Sequence, residues 1–466
     1  MNKIYKITEF TSDSRPDNYV LCFENKWHNG VFKTWKDFLT DTAKLRSFIE
    51  SKNSTNWIVH CEDYWNFLVT FIALLQCKKR IYLTQNIAES FIEEIKKEND
   101  AFITDRNVDG AVYVPLVLEN CKKPSEEEIR TTPKISAEEN EIYLYTSGST
   151  GKSKAVLQRM KEFEEDNAFV MSKWGEEFSK RKLITTVSQH HIYGFLFGIC
   201  IPFSLGIPFR RKRIEFPEEF ESLDDTSYVL IATPAFLKRT TEGLRNNGIL
   251  KLPMKSPYIF TSGGAVSPEL AVDTAKCFGV YPLEVYGSTE TSGIAYRQQN
   301  IHNLEWTPFD NAKIWKGDDG CLRIISPYIR NPEGFATADL VDFIEGTNRF
   351  ILKGRADSIV KIEQKRISLT EMENRLLESG LVADVKVVAL SNDVRQFLGA
   401  ALVFSKKGKE LFEGMEKFSI NRYLQQYLQK YFENVVIPKK WRYLDALPTD
   451  VQGKKHKDEI VALFEK

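Results

Sequence analysis

The chain has 466 residues, more than one ordinary domain requires, so two or more hydrophobic cores are expected. Lysine plus arginine and aspartate plus glutamate number 64 each, which leaves no net field to attract nucleic acid or a membrane surface; neither is expected as a partner. The seven cysteines are scattered without a Cys-x-x-Cys pair, which argues against a zinc site or disulfide framework and fits a reducing compartment. The opening residues Met1 to Phe10 are too polar for a secretory segment, so a cytoplasmic protein is expected. The apolar stretch His191 to Phe209 is broken by Gly194, Gly198, Pro202, Gly206 and Pro208, and reads as buried helix and loop rather than as a membrane span.

In chain order, Trp57 to His60 predicts a strand, Tyr64 to Gln76 a helix, Arg80 to Leu83 a strand, Ala88 to Glu98 a polar-faced helix, and Ala101 to Thr104 a strand. Strands alternating with helices favour an α/β architecture, here a large multi-layered N-terminal domain of mixed and parallel sheets. Asn120 to Asn140, charged and containing Pro124 and Pro133, reads as a surface connector. After Arg349 to Arg355, a strand ending in a turn, the pattern changes. Thr370 to Glu378 predicts a helix capped near Ser368 or Thr370, Val385 to Phe404 two strands, and Ile420 to Tyr431 an amphipathic helix. The expected division is therefore a large domain over 1–356 and a small α+β domain over 357–466.

The segment from Tyr145 to Lys154 reads Tyr-Thr-Ser-Gly-Ser-Thr-Gly-Lys-Ser-Lys. Gly148 and Gly151 let backbone N–H groups turn toward an anion, Thr146, Ser147, Ser149 and Thr150 offer hydroxyls, and Lys152 and Lys154 supply charge, so a nucleoside triphosphate is the expected ligand. A Walker loop fits from Thr146 to Ser153 except that Thr146 replaces its first glycine, and Lys154 to Gln158 reads at least as well as a second strand closing a hairpin as it does as a helix. A P-loop-like NTPase and a plain Gly/Ser turn are the alternatives at this point.

Together with five further segments, this loop resembles the adenylate-forming superfamily of acyl- and aryl-CoA synthetases, luciferases and peptide-synthetase adenylation domains. Those segments are Thr261-Ser262-Gly263-Gly264-Ala265, Tyr286-Gly287-Ser288-Thr289-Glu290, Thr337-Ala338-Asp339, Gly354-Arg355-Ala356-Asp357, and Pro448 to Lys454. The resemblance implies ATP and Mg2+ as cofactors and formation of an acyl-adenylate with release of pyrophosphate. Transfer to coenzyme A, or to the phosphopantetheine of an acyl carrier protein, then follows. It assigns Gly263, Gly264, Ala265, Tyr286, Gly287 and Ser288 to the adenine side, Thr289 to the α-phosphate, and Glu290 to the metal. Asp339 and Arg355 are assigned to the ribose, Asp357 to the hinge of a mobile small domain, and Lys454 to the bridge between substrate carboxylate and α-phosphate.

The acyl pocket of the family resembles Ser188-Gln189-His190-His191-Ile192-Tyr193-Gly194, which implies His191 and Gly194 as its lining. No aspartate stands there to pair with a substrate ammonium, so an uncharged fatty, hydroxylated or aromatic carboxylic acid is expected. His190 is equally readable as a core residue bonded to backbone. The chain departs from the family pattern at Ala338, at Cys321, and at Lys361 to Arg366, where a glycine pair flanking the thiol channel is expected. Free coenzyme A is one acceptor; the basic clusters Lys439-Lys440-Arg442 and Lys454-Lys455-Lys457 suit the other, an acidic carrier protein. A non-catalytic nucleotide-binding protein on this fold is the remaining alternative, although it has no need of Glu290, Asp339, Arg355 and Lys454 together.

Overall fold

The structure is a computed structural model describing residues 4–28, 30–97, 100–147, 153–224, 226–246, 252, 254–255, 257–356, 359–362, 365–391, 396–449 and 455–465. The chain divides into two compact units, one of residues 1–313 with 325–335 and the other of 314–324 with 336–466. This division groups residues 336–356 with the C-terminal residues, whereas the sequence reading draws its boundary after 356.

The first unit is built on two sheets. Among the described residues one has nine strands, in the spatial order Thr307–Pro308, Ser292–Gln298, Leu283–Ser288, Tyr258–Thr261, Tyr228–Ala232, Lys182–Thr185, Phe209–Arg210, Val20–Phe23, Phe32–Thr34. Its middle is parallel, and the strand Tyr228–Ala232 is buried along its whole length, as a strand covered on both faces must be. The other sheet has six strands among the described residues, in the order Val112–Tyr113, Ala101–Thr104, Asn56–His60, Arg80–Leu83, Glu141–Ser147, Ser153–Arg159. The α/β architecture expected from the alternating pattern is thus the one observed.

The helix Tyr64–Gln76 is apolar around most of its circumference and every residue of it is buried; its N-terminus is closed by Asp63, whose carboxylate accepts from the N–H groups of Trp65 and Asn66. The helix expected over Ala88 to Glu98 is shorter, Glu89–Ile95. The connector from Asn120 to Asn140 is not confined to the surface. Ser125 and Glu128 form a capping box that starts the helix Glu126–Arg130, and Ile129 and Ile135 are buried in the main core.

The second unit holds a four-stranded sheet, a hairpin of Ile359–Ile362 with Lys365–Ser368, and a three-stranded sheet of Val382–Ser391, Gln396–Phe404 and Lys440–Tyr443, counted among the described residues. Helices Leu369–Glu378 and Lys417–Leu428 contribute Met372, Leu376, Leu424 and Leu428 to a core shared with Leu398, Leu402 and Trp441. The first of these helices is capped by Ser368, whose hydroxyl accepts from Glu371 N–H.

Candidate nucleotide site

The strands Glu141–Ser147 and Ser153–Arg159 pair antiparallel with Thr146 opposite Lys154 and Ser147 opposite Ser153. A strand, not a helix, therefore follows the phosphate loop, which separates it from a Walker loop. Thr146 and Ser147 end the first strand and Lys154 is exposed on the second, while Gly148, Ser149, Thr150, Gly151 and Lys152 lie outside the described residues.

In the nine-stranded sheet the strands Tyr258–Thr261 and Leu283–Ser288 are parallel neighbours with Thr261 beside Glu284. Their carboxyl ends carry the next two motifs, so the exposed Gly263, Gly264 and Ala265 run out at the same end of the sheet as Tyr286, the kind of place where open α/β sheets bind ligands. Beneath them lies a buried ion pair. Arg297 donates from Nε to Glu284 Oε1 and from Nη2 to Glu284 Oε2, both at 2.8 Å. The backbone of Val266, directly after the Gly-Gly-Ala segment, is tied to this pair: its N–H donates to Glu284 Oε2 at 3.4 Å, and its carbonyl accepts from Gln299 Nε2 at 2.9 Å. The Arg297 guanidinium lies 4.5 Å from the Trp306 ring centroid, and Trp306 in turn packs against half-buried Tyr286 at 5.5 Å.

The Tyr-Gly-Ser-Thr-Glu segment ends its strand in a tight turn. Ser288 N–H donates to Thr291 Oγ1 at 3.0 Å, and Ser292 adopts the left-handed region at φ 55°. Only glycine fits at position 287, because a Cβ there would sit 1.8 Å from the Ser292 carbonyl oxygen. Thr289 is buried, and its carbonyl accepts from Gln158 Nε2 at 3.0 Å. Asp166 is fully buried and accepts from the Ser292 hydroxyl; burial pushes its carboxyl up to about 7 against the opposing effect of the hydrogen bonds from Ser292 and Gly293. Half-buried Glu290 has no ion-pair partner among the described residues, so it is a hard oxygen donor of the type Mg2+ takes. Among those residues no group of three or more His, Cys, Asp or Glu is placed to hold a metal ion.

Ser188 to Gly194 follow the strand Lys182–Thr185 of the same sheet. His191 caps the short helix Ile192–Phe195, its Nδ1 accepting from Tyr193 N–H at 3.3 Å. Gly194 is buried where a Cβ would lie 2.1 Å from the Ser188 carbonyl oxygen, so the chain demands glycine there for packing. His190 is a core residue. Its Nε2 accepts from Cys61 N–H at 2.9 Å, it stacks on His60 with centroids 4.6 Å apart, and burial drives its pKa well down, keeping it neutral.

In the second unit Asp339 and Arg355 occupy paired positions on the strands Phe335–Phe343 and Phe350–Arg355. Within the strand Phe335–Phe343, Asp339 N–H donates to Thr337 Oγ1 at 3.0 Å. Asp357, Glu363, Gln364 and Lys454 lie outside the described residues. The cations expected to meet a carrier protein are partly engaged within the unit. Arg442 Nε donates to the Leu463 carbonyl at 2.8 Å, Lys439 Nζ to that of Asn434 at 2.9 Å, and Lys455 pairs with Asp384.

The family model described as AMP-binding enzyme matches residues 66–313, more than half of the chain and the whole stretch from the helix Tyr64–Gln76 past the Thr289–Glu290 turn. The chain belongs to this family. It is an AMP-binding enzyme of the adenylate-forming superfamily. The 4-coumarate–CoA ligase of Halorhodospira halophila is 24% identical over 66% of this chain and 73% of its own. The D-alanine–D-alanyl carrier protein ligase of Streptococcus pyogenes serotype M28 is 22% identical over 91% of this chain and 93% of its own. In fold the adenylate-forming enzyme is similar to the ATP-bound MatB of Rhodopseudomonas palustris, with a TM-score of 0.75, 14% identity, and coverage of 98% of this chain and 99% of that one. No helix among the described residues of the enzyme is long and apolar enough to cross a membrane.

Glu284, Arg297, Gln299 and Trp306, which brace Val266 and Tyr286, escape a reading by motif. A signal was present: Glu284 and Arg297 are charged residues inside otherwise apolar strand segments, and they prove to be directly opposed across the antiparallel pair.

Proposed function

We propose that the enzyme activates an uncharged carboxylic acid as its acyl-adenylate and passes the acyl group to the thiol of coenzyme A or of a carrier protein's phosphopantetheine. The observation that carries this reading is the arrival of the Gly263-Gly264-Ala265 and Tyr286–Glu290 segments at the carboxyl end of one sheet, with the phosphate hairpin joined to them through Gln158 and Thr289. A carboxylate oxygen attacks the α-phosphorus, and the bond to the pyrophosphate oxygen breaks. Charge builds on the α-phosphate oxygens as this happens, so donors and cations must already point there.

In this reading Thr146 to Gly151 and Lys154 receive the β- and γ-phosphates, and Thr289 donates to the α-phosphate. Tyr286 offers its face to adenine beside Gly263, Gly264, Ala265, Gly287 and Ser288. Asp339 accepts from the ribose hydroxyls, with Arg355 as the adjacent cation. Glu290 would hold Mg2+, which when bound neutralises phosphate charge. Lys454 joins the acid's carboxylate to the α-phosphate. Residues 357–466, turning at Asp357, serve as the small domain that withdraws Lys454 before thiol attack. The apolar surroundings of His191 and Gly194 favour an acid without an ammonium group, as in the 4-coumarate relative rather than the D-alanine one. The engagement of Arg442 and Lys455 within their own unit removes part of the charge argument for a carrier protein. The unpaired state of all seven cysteines fits a cytoplasmic setting.

The test is pyrophosphate release from MgATP across fatty, hydroxylated and aromatic acids, with and without coenzyme A or carrier protein. Acid-dependent pyrophosphate is expected. Phosphate release indifferent to acid would support an NTPase instead, and no product with any acid would support a nucleotide-binding protein without catalysis.

A further inference from the structure

Gln158 and Asp166 belong to one stretch of chain leaving the phosphate hairpin, the first in the strand Ser153–Arg159 and the second in the helix Met160–Ser179 that follows without a break. Both reach the same turn from different sides. Gln158 donates to the carbonyl of Thr289 at 3.0 Å, and Asp166 accepts from the Ser292 hydroxyl and, at 3.4 Å, from Gly293 N–H. Glu290 stands between these two holds in sequence.

Neither side chain is placed to touch a ligand, since Gln158 is 3% and Asp166 0% exposed. Each also keeps a buried oxygen, Gln158 Oε1 and Asp166 Oδ1, with no hydrogen-bond partner among the described residues. Polar groups present merely to satisfy a core would be paired at both ends, because an unpaired buried oxygen costs stability. Their bonds to the turn are thus the interactions that offset their burial. Ser292 supports the same view: a left-handed serine is disfavoured, and the Asp166 bond holds it there.

We propose that Gln158 and Asp166 are positioning residues that fasten the Thr289–Glu290 turn to the strand Ser153–Arg159 and the helix that follows it, so that the carboxylate proposed to bind metal keeps a fixed relation to that stretch of chain. This rests on the role proposed above for Glu290. Loss of either hold frees the turn without removing any group that meets nucleotide: Thr289 gives up at most part of one hydrogen bond, so metal-free nucleotide affinity changes little, while the gain conferred by Mg2+, which needs Glu290 held in place, falls.

The experiment measures, on the full chain, calorimetric affinity for a non-hydrolysable ATP analogue with and without Mg2+, alongside acid-dependent pyrophosphate exchange. Gln158→Met keeps length and removes the donor; Ser292→Gly removes the hydroxyl while accepting the left-handed backbone. Both are expected to keep metal-free affinity within about twofold and to lose about tenfold of the Mg2+ gain, with exchange slowed to match. Glu290→Gln should show the same metal signature. Asp166→Asn, which retains an acceptor for Ser292, should restore most of what Asp166→Ala loses. Equal weakening with and without metal, or an intact Mg2+ gain in Gln158→Met and Ser292→Gly beside a defective Glu290→Gln, overturns the coupling alone. An intact Mg2+ gain in Glu290→Gln overturns both the role of Glu290 and the proposal built on it.

Discussion

Asp339 and Arg355 stand opposite each other on adjacent antiparallel strands, with Arg355 Nη1 3.5 Å from Asp339 Oδ1. The arginine side chain is 51% exposed, so the pair itself contributes no more than about 1 kcal/mol to stability. A carboxylate has acceptor sites for several donors, and in the proposed reading Asp339 receives the two ribose hydroxyls. Asp339→Ala should therefore unfold at nearly the parental denaturant midpoint while losing discrimination between ATP and 2′-deoxy-ATP. The parent should favour ATP by at least about tenfold, and the comparison of kcat/KM for the two nucleotides checks it.

The Glu284–Arg297 pair is of the opposite kind, with side chains only 2% and 8% exposed. Arg297→Met should destabilise the first unit by roughly 3–5 kcal/mol, because it strands a buried carboxylate. Glu284→Leu combined with Arg297→Met should recover much of that loss in a denaturant titration. The double variant should still bind nucleotide weakly, since Val266 loses its bonds to Glu284 and Arg297 and keeps only that from Gln299, which loosens the segment proposed to lie beside adenine.

Gly287→Ala places a methyl group where the Ser292 carbonyl already lies. The turn must shift, and a displacement of about 1 Å at Thr289 and Glu290 should slow pyrophosphate exchange about a hundredfold. Circular dichroism should show the fold retained.

Stability should depend on pH through Asp166, whose carboxyl titrates near 3.8 when unfolded and is pushed up to about 7 by burial. The folded state then holds the proton more tightly, so stability is greatest below the unfolded value, falls as pH rises from about 4 to about 7, and is level above that. The drop is on the order of 4 kcal/mol. The neighbouring Tyr328 and Cys200 are both raised by burial and stay neutral across this range, and Glu164, also raised, lies beside Cys200. Asp166→Asn should flatten the profile and exceed the parent in urea titrations at pH 8.

Lys454→Ala should abolish adenylate formation and spare thioester formation from a supplied acyl-adenylate. Glycine at positions 363 and 364 should alter thiol kinetics more than pyrophosphate release. Single-turnover assays of the two half-reactions separate these outcomes.

The sequence by itself determined the types of its longer apolar elements and the family. Apolar runs such as Tyr64 to Gln76 and Ala101 to Thr104 report their type by length and flanking residues, and the Tyr145–Lys154 segment carries its own turn chemistry, so these were legible within about a dozen residues each. Lys154 to Gln158 already read as a returning strand, which the hairpin bears out. Tertiary structure decided what each buried polar group meets. Gln158 and Thr289 are 131 residues apart, Asp166 and Ser292 126, and Cys61 and His190 129. Local periodicity reports which face of an element leaves water, but a buried donor or acceptor must be paired by whatever the fold brings alongside it. That partner is set by sheet order and crossover connections rather than by neighbours in the chain.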